Sequence, residues 1–160
     1  MKHLLLVHHS QTGSTAAMAQ AVLDGARDPA IEGVEVRVAS PLAADALDLR
    51  WADAVILGTP ENFAYMSGAL KYFFDRIYYP CLEETQGLPY ALFIKAGNDG
   101  SGALSSIRRI VTGLRWREVQ APLIVQGEVN AQNLAACREL GMALAAGLEA
   151  GLFCVTRAAR

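Results

Sequence analysis

Short apolar runs alternate with longer amphipathic segments along this chain. The runs at residues 4–7 and 54–58 are typical of strands buried on both faces, and further strands are predicted around residues 90–95 and 123–125. Residues 34–38 alternate apolar and charged side chains as a half-exposed strand does. Helical periodicity and composition predict helices at residues 16–26, 45–49, 69–79, 103–114 and 130–150. Residues 59–68 and 96–102 are predicted loops, and Pro80 is expected to end the third helix.

Five strands that alternate with five helices predict an α/β fold. Crossover connections place helices on both faces of a parallel sheet, so we expect a doubly wound five-stranded sheet with strand order 2-1-3-4-5. In that order the first and third strands lie where the winding direction reverses, and ligands bind at their carboxyl ends. A chain of 160 residues predicts a single domain over residues 1–160.

The composition limits the classes of partner. The chain is 52% hydrophobic and 19% charged, its net charge is −2, and no apolar run is long enough to cross a membrane. The three cysteines form no C-x-x-C pair, and the three histidines have no carboxylate cluster at ligand spacing, so neither a disulfide framework nor a metal site is predicted. We therefore expect a cytoplasmic protein that binds neither nucleic acid nor membranes.

A run of hydroxyl side chains follows the first strand and precedes the first helix. Its predicted ligand-binding members are Ser10, Thr12, Gly13, Ser14 and Thr15. The N–H groups and positive dipole end of a helix's first turn attract an anion, and the hydroxyls can donate to phosphate oxygens. Because the loop contains no Lys or Arg, a terminal monophosphate suits it better than a di- or triphosphate. The alternative is that these hydroxyls only cap the helix. His9 adjoins this loop but is interpreted as structural.

Two further predicted loops should end at the same edge of the sheet. The first is unusually apolar, and its candidate ligand contacts are Pro60, Glu61, Asn62, Phe63, Tyr65 and Met66. Aromatic and methionine side chains there could cover a flat ring, or Phe63, Tyr65 and Met66 could instead pack into the core. The second loop offers Gly97, Asn98, Asp99 and Gly100, whose backbone could approach a ring edge, or which could form a helix-initiating turn capped by Asp99 or Ser101.

These motifs resemble those of a known family. The first loop fits the Ser/Thr-x-Thr-Gly-x-Thr pattern of flavodoxins, with Ser14 where many members have Asn. The segment from Pro60 to Gly68 resembles the flavin-ring segment of flavodoxin-fold NAD(P)H-dependent FMN and quinone reductases. It departs from the quinone-reductase form, which has Thr-Arg-Phe-Gly-Asn at residues 61–65. The resemblance implies a flavodoxin-like fold, FMN as cofactor and NADPH or NADH as electron donor.

Three functions remain open at this stage. The first is an FMN-dependent oxidoreductase that passes electrons from NAD(P)H to a quinone or another small-molecule acceptor, without a catalytic side chain because the flavin does the chemistry. The second is a flavodoxin-type electron carrier, although carriers of that type tend to be strongly acidic and this chain is not. The third is a non-catalytic FMN-binding or assembly protein. Aromatic residues around more than one face of the third helix also predict a homo-oligomer.

Overall fold

A parallel β-sheet lies at the centre of the computed structural model, which describes residues 1–153. Its strands are β1 (Lys2–His8), β2 (Val34–Ala39), β3 (Ala54–Asn62), β4 (Tyr65–Met66), β5 (Pro89–Ala96), β6 (Arg117–Glu118) and β7 (Leu123–Gln126). The order is β2-β1-β3-β5-β6, with β7 also pairing with β5, and β4 pairs antiparallel with β3. The predicted class and order are confirmed, with β5 as the predicted fourth strand and β6 with β7 as the fifth.

Helices cover both faces of this sheet. They are α1 (Ser14–Ala26), α2 (Ala46–Trp51), α3 (Gly68–Cys81), α4 (Ser101–Gly113) and α5 (Ala131–Glu149). One apolar core joins the sheet to α2, α3 and α4, and a second joins it to α1 and α5. Alternate residues of β1 enter opposite cores: Leu4 and Leu6 face α1 and α5, whereas Leu5 and Val7 face the other layer.

The fifth predicted strand is interrupted. Pro89 of β5 pairs with Arg117, and Phe93 of β5 pairs with Leu123. Between these two pairs, the segment that contains β6 and β7 has two more residues than β5 has. The extra residues lie in segment 119–122, which ends at Pro122, a residue without an N–H for the ladder. The sequence pattern missed β6 because its two residues are exposed and charged.

Two other local expectations are wrong. Pro80 does not end α3 but lies inside it, one residue before the helix ends at the buried Cys81. Proline removes one helical N–H, and because only Cys81 follows it in α3, the disruption is confined to the last turn of the helix. Residues 59–68 are not a loop, because β3 continues to Asn62 and turns back into β4. Cys154 lies outside the described residues, and the single-domain organisation stays a prediction.

Candidate cofactor-binding site

Three chain segments meet at the carboxyl edge of the sheet. They follow β1, β3 and β5, which are neighbouring parallel strands, so their ends lie side by side. The His9 N–H donates to the Gly58 carbonyl over 3.1 Å and ties the start of the first segment to β3. The three predicted groups of site residues are therefore brought to one edge.

The first segment leaves the N-terminus of α1 open to an anion. Gly13 occupies the N-cap position with φ 91°, and no described side chain caps the helix. Ser10 Oγ accepts a hydrogen bond of 3.0 Å from the Gly13 N–H, which shapes the loop, so capping does not account for the hydroxyl run. The first helical bond runs from the Ala17 N–H to the Gly13 carbonyl, so the earlier N–H groups of the helix remain available. This arrangement fits a phosphate.

The five predicted phosphate-loop residues differ in exposure. Thr12 and Gly13 are exposed, Ser10 and Ser14 are half-buried, and Thr15 is buried. The φ of Gly13 lies in the left-handed region that glycine tolerates, although a Cβ there would meet no atom within 4 Å. Backbone conformation, not space, therefore requires glycine at this position.

Two imidazoles lie behind this loop. The Nδ1 atoms of His8 and His9 are buried and have no hydrogen-bond partner among residues 1–153. Burial, with a smaller contribution from His9, lowers the pKa of His8 from its ordinary value of 6.5. Burial thereby favours the neutral form of His8. Their position at the carboxyl end of β1 was the sequence signal for these atoms.

The second segment is a β-hairpin. Glu61 pairs with Met66 and Asn62 with Tyr65, and the connecting residues Phe63 and Ala64 have φ of 52° and 57°. Positive φ at both central residues is the geometry of a type I′ turn, which Asn-Gly usually supplies. Neither Phe nor Ala favours this conformation, so the turn could not be predicted from these two residues.

The hairpin packs against the first turns of α4. Glu61 Oε2 accepts a hydrogen bond of 3.0 Å from the Ala103 N–H, and Ser106 Oγ accepts one of 3.1 Å from the Met66 N–H. A Cβ on Gly102 would lie 2.1 Å from the Ala64 carbonyl oxygen, so only glycine allows this approach. These contacts fix the hairpin to α4. Sequence reasoning missed Gly102 and Ser106, whose partners are about forty residues away along the chain.

The hairpin residues have unequal access to a ligand. Phe63 is fully exposed at the tip, Tyr65 is 39% exposed, and Pro60 and Asn62 are half-buried. Met66 is only 2% exposed and belongs to the core, which favours the core-packing alternative for its side chain. The Glu61 carboxylate serves as a cap for α4, and this interaction fixes its orientation.

The third segment combines an open surface with a structural turn. Gly97, Asn98 and Asp99 are exposed, whereas Gly100 is buried with φ 74°, and a Cβ there would lie 2.6 Å from Ile124 Cγ2. Asp99 Oδ1 accepts hydrogen bonds from the Ser101 N–H at 3.0 Å and the Ser101 hydroxyl at 2.8 Å. These bonds, the backbone bond first, hold the pKa of Asp99 below its ordinary value. The Asp99 side chain therefore builds the turn, as the structural alternative anticipated.

Residues 1–132 match the family model of NADPH-dependent FMN reductases. The chain belongs to this family. It is 33% identical over 114 residues to a flavodoxin of Aquifex aeolicus, and 32% identical over 97 residues to an NAD(P)H dehydrogenase (quinone) of Archaeoglobus fulgidus. These matches cover 71% and 47% of this chain, and 60% and 51% of those proteins. The chain thus spans about half to three fifths of the length of these relatives.

Solved structures agree on the fold. A flavodoxin from the domain Archaea superimposes with a TM-score of 0.76 at 22% identity, covering 92% of this chain and 99% of that one. Rubredoxin oxygen:oxidoreductase from Desulfovibrio gigas gives a TM-score of 0.80 at 19% identity, covering 95% of this chain and 37% of that one. The flavodoxin-like fold is therefore confirmed.

Family membership confirms the resemblance and supports FMN as the cofactor of a flavin-dependent oxidoreductase. Because the chain spans only part of the length of these relatives, the electron donor is a proposal. Which residues contact FMN stays a prediction. Within residues 1–153, no helix has the length and apolarity needed to span a bilayer. Across the same residues, no group of three or more His, Cys, Asp or Glu side chains is arranged to hold a metal ion.

Proposed function

We propose that the protein is an enzyme that transfers electrons from NADPH or NADH, through FMN bound at the carboxyl edge of the sheet, to a quinone or a similar small acceptor. The observation that carries the proposal is the uncapped N-terminus of α1 beside two further segments at the same edge. FMN, when bound, supplies the redox chemistry by accepting a hydride and passing electrons on. The protein's part is to bind and orient the reactants.

The phosphate and the ring would be held by different segments. Ser10, Thr12, Gly13, Ser14 and Thr15 would bind the phosphate through hydroxyls and backbone N–H groups. Both remaining segments would flank the ring, with Pro60, Asn62, Phe63 and Tyr65 on the hairpin side and Gly97, Asn98 and Gly100 on the other. In this proposal Glu61 and Asp99 act through the backbone that they position.

The small net charge of the chain and the open side of the proposed flavin site both favour an enzyme over an electron carrier. The net charge is only −2, which gives weak steering toward a basic protein partner. The exposed residues Gly97, Asn98 and Asp99 include no aromatic side chain to cover the flavin on that side. A nicotinamide could then reach the ring. The flavodoxin relative keeps the carrier as the second candidate, and a non-catalytic FMN-binding protein is the third.

The first experiment identifies the cofactor and the donor together. We expect the purified or reconstituted protein to release FMN and not FAD on denaturation. Under anaerobic conditions, excess NADPH or NADH should bleach the flavin within seconds, and a quinone should restore the absorbance with turnover. Recovery of FAD alone would contradict the cofactor site. Normal reduction by dithionite without reduction by either nucleotide would favour the carrier.

Two threonine variants test the phosphate site. Thr12→Val and Thr15→Val should each weaken FMN binding by roughly 1–3 kcal/mol, because each removes a hydrogen bond to a charged group. Thr12 is exposed, so Thr12→Val should leave the free energy of unfolding unchanged. The matched control is Thr112→Val at an exposed position of α4. FMN affinity equal to that of the parent in both loop variants would place the phosphate elsewhere.

A tryptophan at Asn98 separates an enzyme from a carrier. Asn98 is exposed and has no described structural contact, whereas Asp99 holds the turn, so Asn98→Trp is the cleaner change. The added ring should cover the open side of the flavin and slow reduction by NAD(P)H more than it weakens FMN binding. An unchanged reduction rate with FMN fully bound would argue against nicotinamide access on this side.

We also propose a homo-oligomer formed through α3. Phe73 and Phe74 are buried, but Tyr72 and Tyr79 are 49% and 80% exposed on the same helix. Exposed aromatic side chains of this size favour burial against a partner, and a second copy offers the same surface. Sedimentation velocity should therefore detect a dimer or larger species. A monomer at every concentration tested would contradict this proposal.

A further inference from the structure

One face of α4 carries a groove that the proposed FMN contacts do not use. Its volume is about 550 Å³, within the range of small-molecule sites, and it is lined by Ser101, Leu104, Ser105, Arg108, Arg109 and Thr112. Their spacing of three and four residues puts them on a single face of the helix. The opposite face holds the buried residues of α4, including Ala103, Ile107 and Val111.

The two arginines in this groove differ in their partners. Arg108 donates from Nε and Nη2 to the two carboxylate oxygens of Glu118, at 3.2 and 2.8 Å, which fixes its guanidinium and raises its pKa. Arg109 is exposed and has no ion-pair partner among residues 1–153. None of the six lining residues is acidic. The groove therefore offers one uncompensated cation together with three hydroxyl groups.

The groove begins at the candidate cofactor site. Ser101 opens α4 and is bonded to Asp99 of the exposed loop, and the next two residues of the helix contact the hairpin. From Ser101 to Thr112 the helix rises about 16 Å, at 1.5 Å per residue. An elongated ligand with one end at the flavin could therefore extend along α4 and reach Arg109.

We propose that this groove binds the adenosine half of the pyridine nucleotide and that Arg109 pairs with its 2′-phosphate, so that NADPH is the preferred donor. This proposal rests on the proposed function, because the nicotinamide end must reach FMN. NADPH and NADH differ only by that phosphate, and a guanidinium matches its geometry with two parallel hydrogen bonds. Ser105 and Thr112 can donate to the remaining polar atoms, and Leu104 offers apolar contact.

The test uses Arg109→Gln, with Arg117→Gln as the matched control. Arg117 is also an exposed arginine, but it lies on β6 outside the groove, so both variants lose one positive charge. Calorimetric titration of the FMN-loaded protein with 2′,5′-ADP at low salt should show binding that Arg109→Gln weakens at least tenfold. The probe 5′-AMP, which lacks the 2′-phosphate, should bind the parent more weakly, and Arg109→Gln should leave its affinity unchanged.

Steady-state kinetics give the second measurement. Arg109→Gln should lower kcat/KM at least tenfold for NADPH and leave the value for NADH unchanged, while Arg117→Gln should alter neither. Equal effects of the two variants on 2′,5′-ADP binding, or equal affinity of the parent for 2′,5′-ADP and 5′-AMP, would overturn the proposal. If neither nucleotide reduces the parent, the proposed function fails, but the titrations still decide whether Arg109 recognises the phosphate.

Discussion

Replacing Gly102 with alanine should displace the hairpin from α4. In the native structure the space for a side chain at Gly102 is filled by the backbone of Ala64: an added Cβ would lie 2.1 Å from its carbonyl oxygen and 2.5 Å from its carbonyl carbon. Ordinary contacts between such atoms are roughly 3.5 Å. The hairpin or the helix must therefore move apart by more than about 1 Å.

Two opposing effects decide how much Gly102→Ala changes the free energy of unfolding. Alanine favours a helix over glycine by about 0.5–1 kcal/mol. Forced overpacking against a backbone typically costs about 1–3 kcal/mol. Gly102→Ala should therefore lower the free energy of unfolding by about 1–2 kcal/mol. Since Glu61 and Met66 also bond to α4, separation of the two elements disturbs the whole hairpin, and FMN affinity should fall at least tenfold.

Gly68→Ala is the matched control. Gly68 also lies in the first turn of a helix, α3, but a Cβ there would meet no atom within 4 Å. That variant should be as stable as the parent or more stable by up to about 1 kcal/mol. Urea denaturation and fluorescence titration with FMN measure both quantities. If the two alanine variants unfold at the same urea concentration and bind FMN equally, the close contact between Gly102 and the Ala64 backbone is refuted.

Two further predictions follow from single residues. Ala64 has φ 57°, so Ala64→Gly should raise the free energy of unfolding by up to about 1 kcal/mol. Ala135→Gly, at an exposed position of α5, should lower it by a similar amount. If urea denaturation shows that both variants change the free energy of unfolding in the same direction, the turn is not strained. The lowered pKa of His8 means that the unfolded chain binds a proton more readily, so this contribution to stability is present above pH 6.5 and is lost as the pH falls below it. His8→Gln should reduce that loss, and an unchanged pH dependence of unfolding would exclude His8 as its source.

Most of the sheet was predictable because its strands are buried on both faces. Such strands appear as continuous apolar runs, and β1, β3 and β5 each contain one. The hairpin was missed for the opposite reason. The end of β3 is Pro60, Glu61 and Asn62, and its turn lacks the glycine or asparagine that usually marks positive φ. Long-range contacts with α4 override these local preferences.

The open N-terminus of α1 was predictable because it depends on local sequence, whereas the hairpin and the turn before α4 depend on tertiary contacts. Hydroxyls and a glycine between a strand and a helix are sufficient to predict an open helix N-terminus. Composition could not distinguish the buried Met66 from the exposed Phe63 three residues earlier. Only the pairing of β3 with β4 decides which of these side chains enters the core.

A comparison of the helix N-termini supports α1, and no other helix within residues 1–153, as the proposed phosphate site. All five helices begin at the carboxyl edge, because α1, α2, α4 and α5 each follow a parallel strand and α3 follows the short hairpin at the end of β3. Side chains cap α2, α3 and α5, through Asp45, Ser67 and Asn130, whereas α1 and α4 both begin on a glycine with positive φ and have no side-chain cap from the N-cap residue.

The two uncapped helices are not equivalent as anion sites. At α4 the Glu61 carboxylate already accepts from the Ala103 N–H, so a negative charge occupies the positive end of that helix. A phosphate there would meet this carboxylate, and the repulsion would offset the attraction of the remaining N–H groups. At α1 no carboxylate from residues 1–153 bonds to the first turn, which begins with Ser14 and Thr15. The hairpin carboxylate therefore makes the N-terminus of α4 a poorer anion site than that of α1, which supports the proposal that α1 binds the phosphate of FMN.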